Sequence, residues 1–321
     1  MVGKSNGAQN CAKVMAILIL LFLIAACASA RPGAGAIERR FDQLSGILNT
    51  QGEMPDRRFS SIIEKQYVEN FSGITNTHYS DRLNSDSLGL LFRAAHMAAF
   101  YSRKEKYVED MSRVLDRLIA KGAASDVHFS QLFEAHVLTR SFDRAAEVYA
   151  RHPTPAMEQL PLLVLGDIPP DTGPTELVVS KADREITRRI VTLPQGPHII
   201  VVSHPLCHFS QNATAAIDKD VELAAVFREN AKWLAPVNGR LDVDLLQAWN
   251  KLHADAPITV AYRAEEWPLI DNWATPTFYF FRDGRLKSKV SGWPAEGRHQ
   301  QLRDAARGVG LLPAAASVPA E

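Results

Sequence analysis

The sequence predicts an all-α helical-hairpin domain followed by an α/β domain, and three observations carry that expectation. No proline occurs between Pro55 and Pro153, whereas Pro153, Pro155, Pro161, Pro169, Pro170 and Pro174 crowd the next stretch. Helices can propagate before that stretch and not through it. Upstream of it apolar residues recur at three- and four-residue steps, and downstream short β-branched runs alternate with helical spacing. All five tryptophans, Trp233 to Trp293, fall in the second region. The expected organisation is a signal segment over residues 1–30, a helical domain over 31–152, a Pro-rich connector over 153–174, the α/β domain over 175–312 and a mobile tail over 313–321.

In the helical domain, Leu88, Leu91, Ala95 and Ala98 form one stripe, and Tyr107, Met111, Val114, Leu115 and Leu118 form the next. Gly89 leaves the start of the first helix open, and Gly122 ends the second. Ser125-Asp126 is suited to cap a third helix, whose stripe is Phe129, Leu132, Phe133 and Val137. A fourth segment, SFDRAAEVYARHP, puts Phe142, Ala145, Ala146 and Tyr149 on one face and stops at Pro153. It resembles the second helix of a tetratricopeptide repeat, although the separation of its units exceeds that family's period. Hairpins that serve structure or dock a protein partner are the expectation.

In the α/β domain, residues 177–179 and 186–193 read as short strands. Residues 198–203 (HIIVVS) are a continuous apolar run with β-branched residues, as in a strand buried on both faces. A turn over 203–210 follows, then a helix in which Phe209, Ala213, Ala216, Ile217, Val221, Ala224 and Phe227 keep helical spacing, with a kink expected at Asp218-Lys219-Asp220. Strands are expected at 232–236 and 258–262 with a helix over 243–252 between them. Residues 277–281 and 286–290 flank Asp283-Gly284, a dipeptide suited to a tight hairpin. A last helix is expected over 295–307.

Composition and the amino terminus bound the function. The chain has 321 residues, 46% hydrophobic and 22% charged, which excludes wholesale disorder and a polytopic membrane protein. Basic and acidic residues balance at 36 each, so there is no general attraction for a phosphate backbone and nucleic acid is not an expected partner. Lys4 and Lys13 precede an apolar run over residues 14–26 (VMAILILLFLIAA), shorter than the ~20 residues a membrane-spanning helix needs. This is the pattern of a secretory signal peptide. Two cleavage readings stay open: Ala28-Ser29-Ala30 has the small-x-small form of an ordinary cleavage site, and Ile24-Ala25-Ala26-Cys27 resembles a bacterial lipobox. In the second, Cys27 is lipidated and anchors the protein to a membrane. A retained signal anchor is the third reading, disfavoured by the shortness of the run; in each case the expectation is an exported, periplasmic protein. Of the three cysteines, Cys11, Cys27 and Cys207, only Cys207 then remains as a thiol in the folded part, and no intramolecular disulfide is available.

Cys207 lies in SHPLCHFS, directly after the buried strand. At the start of a helix, unpaired backbone N–H groups and the positive end of the macrodipole favour thiolate over thiol. His204 and His208 flank it; an imidazolium there adds to that stabilisation, and a neutral imidazole is a proton acceptor.

The order strand, cysteine turn, helix, strand, helix, Thr-Pro-Thr strand, hairpin and final helix resembles the thioredoxin fold over residues 174–312. The resemblance rests on SHPLCHFS and ATPTFYFF and implies a central mixed sheet flanked by helices. It implies that Cys207 is the attacking cysteine and that Ser210 stands where a resolving cysteine would be, giving a monothiol CHFS motif. It further implies that Thr275-Pro276-Thr277 is the cis-proline segment, with Thr275 contacting substrate backbone and Pro276 shaping the site. Three departures bear on turnover: Val201 replaces a buried aspartate, Leu206 a tryptophan and Phe209 a proline.

The expected activity is thiol–disulfide exchange with protein thiols or disulfides or a small thiol, without a cofactor. The alternatives are a redox-inactive binding or scaffold protein that keeps the fold, and copper or zinc binding by His204, Cys207 and His208 with His198 or His299 as a further ligand. No Gly-rich phosphate loop, HExxH helix or GxSxG elbow occurs, so nucleotide-dependent, metalloprotease and serine-hydrolase activities lack their usual support.

Overall fold

A computed structural model describes residues 34–52, 54–75, 78–169 and 172–314. Cys27, both cleavage readings, the apolar run at 14–26 and most of the tail lie outside the described residues. No helix among the described residues is long and apolar enough to cross a membrane.

Among the described residues, six helices of ten residues or more come first: α1 (Ala34–Gly46), α2 (Asp56–Tyr67), α3 (Ser85–Ser102), α4 (Glu105–Ala120), α5 (Asp126–Leu138) and α6 (Phe142–Arg151). The start of α3, left open by Gly89, is set by Asn84, whose Oδ1 accepts the Ser87 N–H at 2.9 Å. At the start of α5, His128 Nδ1 takes the Ser125 N–H at 3.1 Å. Tyr67, Phe71, Phe92, Tyr107 and Met111 pack into one apolar cluster. Within it the Tyr67 hydroxyl donates to Asp110 Oδ2 at 2.7 Å, and Arg113 pairs with the other carboxylate oxygen at 2.5 Å. This buried carboxylate is therefore charge-paired and hydrogen-bonded, as a buried charge must be.

The second region is one eight-stranded mixed sheet. Its strands are β1 (Leu162–Val164), β2 (Thr175–Val179), β3 (Glu185–Ile190), β4 (His198–Val202), β5 (Ala231–Ala235), β6 (Ile258–Ala261), β7 (Thr277–Arg282) and β8 (Arg285–Ser291). The lateral order is β1-β3-β2-β6-β5-β4-β7-β8. Strand β4 runs parallel to β5 and antiparallel to β7. Helices α7 (His208–Lys219), α8 (Val221–Asn230), α9 (Val243–Leu252) and α10 (His299–Val309) complete the region.

All five residues of β4 are buried. Alternation explains why: Ile199 and Val201 enter one apolar cluster with Phe278, Phe280 and Leu302, while Ile200 and Val202 enter another with Tyr279, Phe281 and Trp273. The helix after Cys207 is broken at Asp220, which ends α7 in an extended conformation (φ −97°, ψ 105°) and caps α8 by accepting the Leu223 N–H at 3.2 Å. Asp283 and Gly284 form the two-residue turn between β7 and β8 with positive φ at both positions, 54° and 67°.

Three features differ from the sequence expectation. The stretch at 153–174 contributes β1, which pairs in parallel with β3; a three-residue strand among prolines carries no periodicity. Helix α10 begins at His299 rather than 295, because Gly297 adopts φ 73° in a turn closed by its N–H to Pro294 O at 3.0 Å. The apolar core also does not divide at residue 152. Phe133, Val137, Phe142 and Ala145 of α5 and α6 share a cluster with Leu177, Ile199 and Trp233 of the sheet. Arg140, just after α5, is buried and drives its guanidinium into the sheet, with Nε donating to Tyr262 O at 2.6 Å and Nη2 to Ala261 O at 2.8 Å. Burial pushes its pKa down to about 10, so it still carries its charge at neutral pH.

Candidate functional site

Strand β4 ends at Val202 beneath a loop whose first residue is tied to the neighbouring strand, Ser203 N–H donating to Leu234 O at 3.0 Å. The loop closes on itself through Cys207 N–H to His204 O at 2.9 Å. Cys207 is then the N-cap of α7, at the end of the sheet where β4 and β5 point. Gln211 braces the turn, its amide donating to Pro205 O at 2.6 Å.

The Cys207 sulfur is half-buried and lies 3.2 Å from the carbonyl oxygen of Thr275, whose peptide bond to Pro276 is cis. Burial pushes the thiol pKa up, but the hydroxyl of Thr275, the N–H and hydroxyl of Ser210 and the N–H of Phe209 together outweigh it, and the net direction is down. The Thr275 carbonyl accepts from the protonated sulfur, whereas these donors favour the anion. Ser210 is fully buried, and its hydroxyl is among the groups that lower the thiol pKa.

The Thr275 side of the site is built by residues that the sequence did not single out. Asp271, Asn272 and Trp273 precede it. The buried Tyr279 hydroxyl of β7 donates within this segment, lying 2.7 Å from Asn272 O and 2.9 Å from Asp271 Oδ1, and it accepts the Asn272 N–H at 3.0 Å. Lys289 of β8 pairs with the Asp271 carboxylate at 2.9 Å. The helical region reaches the same loop: Asp56 at the start of α2 accepts the Trp273 N–H at 2.9 Å and donates its own N–H to Asp271 O at 3.0 Å. Thr277 Oγ1 to Ala274 O at 2.7 Å and Gly292 N–H to Pro276 O at 2.8 Å close the segment on either side of Pro276.

Of the expected site residues, Cys207, Ser210, Thr275 and Pro276 come together. The two histidines do not act on the sulfur in the way their spacing suggests. His204 turns away: Nδ1 accepts the Leu206 N–H at 3.2 Å and Nε2 faces Asp242 Oδ2 at 3.7 Å. Burial lowers its pKa against the raising effect of Asp242, so it is neutral near pH 7 rather than an imidazolium beside a thiolate. His208 is exposed on the first turn of α7, 3.4 Å from the Asn212 amide. It lines an open groove of about 550 Å³ with Phe209, Lys219, Trp293 and His299. Leu206 and Phe209 flank the cysteine in sequence and are 66% and 55% exposed, an apolar rim for whatever approaches it.

Among the described residues the metal alternative finds no ligand set. His198 sits at the far end of β4, roughly 13 Å along the strand from Val202, where it stacks on Phe281. No group of three or more His, Cys, Asp or Glu side chains among the described residues could hold a metal ion. Val201 is buried in the apolar cluster; the carboxylate closest to the motif in these contacts is Asp242, which meets His204 and is contributed by a loop 35 residues beyond the cysteine. Nothing local in the sequence marks it.

No family model matches the chain, and no curated protein matches it. Among solved structures, a thioredoxin-like protein from Bacteroides caccae is similar at 12% identity, over 72% of this chain and 80% of that one, with a TM-score of 0.26. A likeness that shallow adds no weight. The topology itself is β5-β4-β7-β8 in lateral order, parallel then antiparallel, with a cysteine opening the helix after β4 and a cis-proline just before β7, which is the order of elements expected from the sequence.

Proposed function

We propose that this protein takes part in thiol–disulfide exchange through Cys207. The observation that carries the reading is the 3.2 Å approach of the Cys207 sulfur to the Thr275 carbonyl before cis-Pro276. It pairs a half-exposed sulfur of lowered pKa with a backbone edge able to align an extended partner. The thiolate attacks one sulfur of a substrate disulfide, forms a mixed disulfide and releases the other sulfur as thiolate. Ser210 supplies no second sulfur, so an external thiol must attack the mixed disulfide and restore Cys207. The cycle is a monothiol one, with a protein thiol or a small thiol as co-substrate. The same reading has the protein act after export, with the anchored or soluble form decided by Cys27. Mass spectrometry of the mature amino terminus tests that part.

The test of the chemistry is the rate of reaction with a neutral aromatic disulfide as a function of pH. A titration midpoint below that of an ordinary cysteine, with a mass adduct confined to Cys207, supports exchange. A thiol that stays inert in the folded protein refutes it and favours the second reading, a binding module without chemistry. The observation on the side of that second reading is the exposed pair Leu206 and Phe209.

A further inference from the structure

The loop between β4 and Cys207 is held from outside by groups that exchange chemistry at the sulfur does not itself require. Both ring nitrogens of His204 are committed, Nδ1 to the Leu206 N–H and Nε2 toward Asp242. The first contact needs an unprotonated Nδ1, so the ring proton sits on Nε2 and faces the carboxylate. Asp242, itself mostly buried, is fixed in turn. Its backbone N–H donates to Glu158 Oε2 at 3.1 Å, the Leu241 N–H donates to the other oxygen of that carboxylate, and Arg240 Nε donates to Asp242 Oδ1 at 3.1 Å. The same loop lies hard against α5: a Cβ on Gly239 would sit 2.9 Å from the backbone oxygen of Glu134. The helical region therefore sets the loop that carries Asp242, and Asp242 through His204 sets the loop that carries Cys207.

We propose that His204 and Asp242 are a positioning pair for the cysteine loop, with neutral His204 holding the Leu206 N–H so that the sulfur stays aligned on the Thr275 carbonyl. His204 is a positioning residue and not a base, because it touches backbone rather than sulfur. Its protonation removes the acceptor and sets two N–H groups against each other. Thiol reactivity then falls on acidification for a reason separate from loss of thiolate. The groups facing the imidazole are Asp242 and, behind it, Arg240, Glu158 and Glu134. Burial outweighs the Asp242 carboxylate and moves the transition below the ordinary imidazole range.

This inference rests on the exchange reading, and the experiment separates the two. Rates with a neutral disulfide are measured across the acid-to-neutral range and divided by the thiolate fraction from ultraviolet absorbance, for the full chain and for His204→Ala, His204→Asn and Asp242→Asn, each checked for folding by circular dichroism. His204→Ala is expected to react about 5–20-fold more slowly, one to two hydrogen bonds' worth of positioning, and to lose the acid limb of the corrected profile. Asparagine can accept the same N–H two residues on, as in an Asx turn, so His204→Asn recovers most of the rate while the limb stays absent. Asp242→Asn moves the limb to lower pH, because the carboxylate favours the imidazolium. A folded His204→Ala protein with the parent's rate and profile, or a limb that survives in His204→Asn, overturns the positioning pair alone. A parent thiol inert at every pH overturns the exchange reading and the pair together.

Discussion

Both halves of the molecule hold charged groups in paired or hydrogen-bonded sites, and they put them to different use. In the helical half, polar groups tie helix to helix: Tyr67 and Arg113 meet on Asp110, and Lys104, Lys106 and Tyr107 converge on Glu64. Burial raises the Glu64 pKa, but those three donors win and hold it at about 2. In the sheet half, the corresponding groups hold loops: Asp271 and Tyr279 on the Thr275 side, Asp242 and Glu158 on the Cys207 side. The first arrangement sets the spacing of a scaffold. The second sets two loops at a defined separation across one sulfur, and that separation is where chemistry becomes available.

Four experiments test this contrast. Cys207→Ala removes the only thiol of the described residues and is expected to abolish mixed-disulfide formation completely while leaving the far-ultraviolet circular dichroism unchanged; adduct mass reads the first and the spectrum the second. Arg140→Ala leaves the Ala261 and Tyr262 carbonyls buried without their donor, at a cost of about 3–4 kcal/mol. All five tryptophans lie in the sheet half, so urea unfolding followed by fluorescence reports that half, whereas circular dichroism also reports the helices. The two transitions should coincide in the parent protein and separate in this variant.

The third concerns His136, buried in α5 with Nδ1 unpartnered and its pKa lowered by burial from 6.5 to about 4. The unfolded chain takes up a proton there near pH 6.5 and the folded chain only near pH 4, so stability is full above 6.5 and lost as pH falls through that window. The full loss, reached below pH 4, amounts to about 3 kcal/mol. Replacing His136 by Leu should flatten the fall in urea midpoint between those two pH values. The fourth effect is the smallest. Ser210→Ala removes one donor to the thiolate, and the exchange rate should drop about two- to five-fold with the thiol titrating higher.

The parts of this picture that were legible in the sequence are those encoded locally. The run from Ile199 to Val202 is apolar toward both faces and, with His198, is buried throughout. Cys207 opens a helix because a turn precedes it and helical spacing follows, and Asp283-Gly284 is a turn because it stands between two β-rich runs. What was not legible depends on partners far along the chain. His204 reads as an activator of its neighbour until Asp242 is seen to claim it. Arg140 has no local signal, because its acceptors lie more than 120 residues away. Leu162 to Val164 have no period to detect, and only their register with β3 makes them a strand.

The shared cluster of Phe133, Val137, Phe142 and Ala145 with the sheet has a practical corollary for anyone who wishes to excise the reactive module. A truncation that starts at the prolines would strip four apolar side chains from one face of the sheet and open an oily wound there, with aggregation the expected result. A fragment meant to survive on its own should begin before α5, near Ser125, and carry that helical hairpin with it as an integral wall.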